Sequence, residues 1–102
     1  MNIDNIRAKV RAKQYFIYDH AFTEAFKDGL SVAALRYVLL HGEIIEDYPE
    51  RQRCLVYGNL PDGMPVHVIV EYARSELEIV TTYVPDKREW LDFKIRKSRT
   101  RR

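Results

Sequence analysis

Apolar residues recur three and four apart over the first two fifths of the chain, and from Glu43 onward they alternate or run together. That change of period predicts helices first and strands second. Ile6 and Val10, with Asn2 or Asp4 as caps, predict a short basic helix over residues 3–13. The aromatic run Tyr15, Phe16, Ile17, Tyr18 comes next, and it fits either a short extended segment or a staple into the following helix. Asp19 offers an N-cap to a helix over residues 20–27, with Phe22 and Phe26 on one face and Gly29 ending it. Ser31 caps a third helix over residues 32–41, where Leu35, Val38 and Leu39 make the buried stripe and Gly42 follows the last turn.

Four strands are predicted in the second part, over residues 43–48, 53–60, 64–72 and 76–84. Pro85 stops the last, and Trp90, Leu91 and Phe93 suit a short final helix before a basic tail. Short connections favour antiparallel neighbours. The fold class expected is α+β, with N-terminal helices packed on one face of a roughly four-stranded antiparallel sheet; residues 1–93 form one domain and residues 94–102 a basic tail.

The turns set a register. With Gly63 at the positive-φ position of a three-residue loop, Leu60 pairs with Met64 and Tyr57 lies opposite His67. With Arg74 and Ser75 as the next turn, His67 also faces Thr82. Arg53, Glu71 and Glu78 form a row further along the same face, and Cys54, Val56, Val68, Val70 and Ile79 make the other face the better core.

Composition narrows the class of protein. A chain of 102 residues with 46% hydrophobic residues supports one core. No apolar run approaches the roughly 20 residues that cross a bilayer, so a cytoplasmic protein without a membrane partner is expected. The single cysteine, Cys54, has no intrachain partner and reads as a core residue. The net charge is only +2, yet cations collect at both ends of the chain, including Arg96, Lys97, Arg99, Arg101 and Arg102. Such ends attract a polyanion such as RNA through phosphate contacts, or else form a solvated helix face and a solubilising tail.

The Tyr57, His67, Thr82 row, with Arg53 about two rows away, supplies a base, an acid and a cation. RNA carries its own nucleophile in the 2′-hydroxyl, so this set suits metal-independent cleavage without a cofactor. The plain alternative is a structural histidine in a strand and a surface ion pair between Arg53 and Glu71. His20, in the first turn of a helix, is the second candidate, beside a ready anion site. His20, His41 and His67 are widely spaced, which gives no metal motif; Gly-rich phosphate loops and nucleophile elbows are also absent.

Several segments together resemble a prokaryotic domain-of-unknown-function family: His20-Ala21, Lys27 to Ser31, Gly42 to Pro49, Cys54 to Gly58, Pro65 to Val68 and Thr81 to Pro85, with Trp90 beyond. The resemblance implies a small toxin-like protein of the RelE, ParE and motility-quorum-sensing-regulator type, an endoribonuclease acting on messenger RNA and often paired with a zinc-finger antitoxin. It also carries the family's histidines onto His20 and His67. Many members place an arginine after the His-Ala pair, where this chain has Glu24 and Asp28. The expected function is therefore an endoribonuclease toxin, with a non-enzymatic protein- or RNA-binding module as its alternative and a homo-oligomer joined at sheet edges as a third reading.

Overall fold

The computed structural model describes residues 1–97. Helix α1 (Ile3–Arg11) is capped by the Asn2 side chain on the Asp4 amide and buries Ile6 and Val10. The first three residues of the aromatic run then form a strand, β1 (Tyr15–Ile17), and α2 (Asp19–Lys27) follows with Tyr18, not the expected Asp19, at its N-cap position. Ser31 caps α3 (Val32–His41) on the Ala34 amide, as its position before the apolar stripe predicts. Strands β2 (Glu43–Tyr48), β3 (Arg53–Asn59), β4 (Pro65–Glu71) and β5 (Leu77–Tyr83) follow, with one 3-10 turn (Pro49–Arg51) between β2 and β3.

These strands make a five-stranded mixed sheet in the order β1-β5-β4-β3-β2, which corrects the expected four-stranded antiparallel one. The additional strand is β1, which lies parallel to β5. It follows α1 and precedes α2 and α3 in the chain, so these two helices serve as part of the crossover that brings β5 back beside it in the same direction.

The main core joins Ile6 and Val10 of α1, Ala21 and Ala25 of α2, and Leu35, Val38 and Leu39 of α3 to strand residues Cys54, Val56, Val66, Val68, Val70, Leu77 and Ile79. The strand members are those that the hydrophobic alternation assigns to the core. On α2 the two alanines face this core, whereas Phe22 and Phe26 are 52% and 76% exposed. The phenylalanines do share a face, but it is the outer one.

Gly42 ends α3 for a reason other than backbone freedom, since its φ is −85°. A β-carbon there would collide with the carbonyl oxygens of Tyr57 and Val38, so a hydrogen lets α3 and β3 meet. Arg7 donates to the Gly42 carbonyl at 3.0 Å and ties α1 to the same junction.

Two bulges change the register. One follows Ile44 in β2, and the other lies at Val80 in β5, between the pairs Ile69↔Thr81 and Val70↔Ile79. Tyr57 lies opposite His67 as expected, but the Val80 bulge shifts β5 by one residue and sets Tyr83, not Thr82, opposite His67. Thr82 turns to the core side beside Val68 and donates its hydroxyl to the His67 carbonyl at 2.9 Å.

The expected final helix is also corrected. Trp90–Leu91 and Ile95–Arg96 form a small antiparallel hairpin, β6 and β7, so the segment read as the start of a basic tail is partly folded. Three residues, Asp92 to Lys94, connect the strands; Lys94 donates its amide to the Leu91 carbonyl, and Asp92 and Phe93 both have positive φ, of 52° and 62°, as the two central residues of a type I′ turn do. An aromatic residue in that region costs roughly 1–2 kcal/mol, so contacts elsewhere must hold Phe93 in place.

Candidate functional site

Those contacts come from the sheet beneath the hairpin. His67 projects from β4 on the face away from the main core, and Trp90 and Phe93 close over it, leaving the residue 0% exposed. Its Nε2 lies 2.7 Å from the Phe93 carbonyl oxygen, and its Nδ1 lies 3.2 Å from the Tyr83 hydroxyl. A carbonyl can only accept, so Nε2 carries the proton and Nδ1 accepts from Tyr83. The imidazole also meets Trp90 edge-on, with centroids 4.4 Å apart, and Tyr57 and Tyr83 in similar geometry at 5.8 and 5.2 Å.

Burial, first of all, lowers the His67 pKa below its ordinary value, against a smaller upward pull from the Phe93 carbonyl. Burial likewise raises the Tyr83 phenol. Both groups are therefore held in their neutral forms.

The hairpin is fastened at its rim by charge. Lys94 pairs with Glu43 at 2.9 Å, and Arg96 pairs with Glu46 at 3.1 Å while lying over the Trp90 ring, 4.5 Å from its centroid. Arg96 is thus engaged by β2, and Lys97 is exposed, donating its amide to the Glu89 carbonyl. Arg99, Arg101 and Arg102, read from sequence as RNA contacts, lie outside the described residues.

The other candidates are dispersed. Tyr57 shares the His67 cluster, yet it is 8% exposed and donates its hydroxyl to Asn59 at 3.0 Å. Arg53 pairs with Glu71 at 3.0 Å, as the register predicts, and the neighbouring Glu78 carboxyl, followed by this pair, holds the Glu71 carboxyl below its usual pKa. His20 stands exposed on α2, 3.2 Å from Glu24. Only Tyr57 and His67 of the four predicted catalytic residues are brought together. Sequence reasoning missed Tyr83 and Phe93 as the partners of His67, because a one-residue bulge and a backbone carbonyl leave no side-chain pattern to read.

A second surface stands out by its exposure. Phe16 and Tyr18 contact each other with centroids 5.3 Å apart. Phe16 and Ile17 of β1, Phe22 of α2, Val32 and Arg36 of α3 and, before β1, Lys13 line a groove of about 770 Å³ beside the outer edge of β1. Among the described residues, no group of three or more His, Cys, Asp or Glu side chains is placed to hold a metal ion, and no helix is long and apolar enough to cross a membrane.

The family described as Domain of unknown function (DUF4258) matches residues 17–84, from β1 to the residue after β5. The chain belongs to this family. Its matched region contains four strands of the sheet, the last residue of β1, helices α2 and α3, and both His20 and His67, but not the hairpin that covers His67. No curated protein and no solved structure matches the chain.

Proposed function

We propose that this DUF4258 protein is a non-enzymatic binding module, in which His67 fastens the C-terminal hairpin to the sheet and the exposed aromatic surface receives a partner. The observation that carries this reading is the state of His67. A general base needs a ring nitrogen within reach of the proton it removes, and both nitrogens here already have partners inside a closed cluster. The dispersal of His20 and Arg53 supports the same reading, since an acid, a base and a phosphate-binding cation must converge on one reacting group.

The alternative is an endoribonuclease of the RelE and ParE type, with an antitoxin as its partner. Its support is the adjacency of Tyr57 and His67 and the cationic end of the chain. Incubation of the purified protein with single-stranded and structured RNA in EDTA separates the two. The binding-module reading expects full-length RNA at every time point; cleavage that disappears in His67→Ala or His20→Ala, with the fold retained, establishes the enzyme instead.

A further inference from the structure

The two edges of the sheet are protected very differently. Strand β2, at one edge, carries Glu43, Glu46 and Asp47, contains a bulge, and is engaged by the N-terminus, Lys94 and Arg96. Those are the usual devices that stop an edge from pairing with another chain. Strand β1, at the other edge, is Tyr15, Phe16 and Ile17, with no charge and no bulge. The Tyr18 amide donates to Ile79 and the Gln14 carbonyl accepts from Leu77. The alternation of a parallel ladder then directs the backbone groups of Tyr15 and Ile17 away from β5, toward the groove.

The groove beside that edge is lined by apolar side chains and by cations. Phe16 and Phe22 are 41% and 52% exposed, and the lining includes two cations, Lys13 and Arg36, and no carboxylate. A second copy of the chain would bring the same two cations against its own, which disfavours self-pairing. Stacked nucleic-acid bases would use the rings and the cations but leave the strand's outward amide and carbonyl groups without partners.

The geometry points to an acidic, extended segment of a partner protein as the occupant, adding to β1 as a sixth strand. Its backbone pairs with Tyr15 and Ile17, alternate apolar side chains rest on Phe16 on one face and Phe22 and Val32 on the other, and its carboxylates meet Lys13 and Arg36. Arg36 is already oriented, because it donates to the Val10 carbonyl and the Tyr15 hydroxyl at 3.3 and 3.0 Å. This inference rests on the binding-module reading and gives that module its ligand class.

The test is fluorescence polarisation with labelled ten-residue peptides in which Glu residues flank a central run of Val and Leu, so that apolar side chains reach both faces, their Glu→Lys counterparts, and versions N-methylated along one edge or the other. The expected result is binding of the acidic peptide alone, abolished by methylation of one edge and retained with the other. Phe22→Ala and Lys13→Glu, both at exposed positions, each weaken it about tenfold, and hydrogen exchange slows at the Tyr15 and Ile17 amides. Equal binding of acidic and basic peptides, no binding of either, or indifference to methylation overturns the inference. So does a doubled mass that Phe22→Ala returns to monomer, or capture of a labelled single-stranded RNA that Phe22→Ala abolishes. RNA cleavage in the EDTA assay would instead overturn the underlying reading, so the two failures are distinguishable.

Discussion

Replacing His67 by alanine separates a structural histidine from a catalytic one. The substitution removes a fully buried ring, its hydrogen bonds to Tyr83 and Phe93, and its edge contact with Trp90. Two net hydrogen bonds contribute about 2 kcal/mol, and the lost packing adds about 1–2 kcal/mol even if the hairpin partly collapses into the gap. A total of about 3–4 kcal/mol in a domain of this size lowers Tm by roughly 12–30 °C. Urea unfolding followed by the fluorescence of Trp90, the only tryptophan, reads both the global transition and the docking of the hairpin. His67→Phe keeps the volume and loses the polar contacts, so it should fall between wild type and His67→Ala. An exposed catalytic histidine would leave stability within about 0.5 kcal/mol of wild type. That result for His67→Ala would refute the reasoning.

The depressed His67 pKa gives a pH dependence with a definite sign. The unfolded chain takes up the proton near the ordinary value of about 6.5 and the folded chain only at lower pH, so this contribution is complete above about pH 6.5 and declines below it, by up to about 1.4 kcal/mol per pH unit. Comparing urea midpoints at pH 8 and pH 5.5 should show a loss in wild type that exceeds the loss in His67→Phe. Gly42→Ala forces a methyl group against two backbone carbonyls and should cost about 3 kcal/mol or more, measured by the same unfolding curves; a cost below about 1 kcal/mol contradicts the close approach of α3 and β3. Burial raises the Cys54 thiol pKa to about 12, so a disulfide reagent at pH 8 should leave it unmodified in the folded protein and label it at the rate of unfolding.

Most of the scaffold was legible because the hydrophobic period and the turn residues agree with each other. Ser31, Gly29 and the 61–63 loop fix boundaries, and the pairing of Tyr57 with His67 and of Arg53 with Glu71 follows from the turn before β4. Three features escaped for separate physical reasons. Strand β1 is only three residues long, so no alternation distinguishes it from a staple, and its partner lies 62 positions away. The Val80 bulge is encoded in packing, with no glycine or proline to mark it, and it changes which side chain meets His67. The C-terminal hairpin turns at Asp92 and Phe93, where glycine or asparagine is the usual signal, and tertiary contacts with His67 and Tyr57 hold that backbone in place. The candidate site was therefore half visible: its central imidazole could be read from the chain, but the cover that decides its accessibility could not.

The claim at the centre of this account is that the His67 ring is enclosed and fully engaged, and nitrogen NMR of the imidazole addresses it directly. At pH 7.5 the account predicts one protonated nitrogen, Nε2, with a slowly exchanging proton and no change in either nitrogen signal when RNA is added. A rapidly exchanging ring whose signals shift with RNA would contradict it and return His67 to the reacting group of a nuclease.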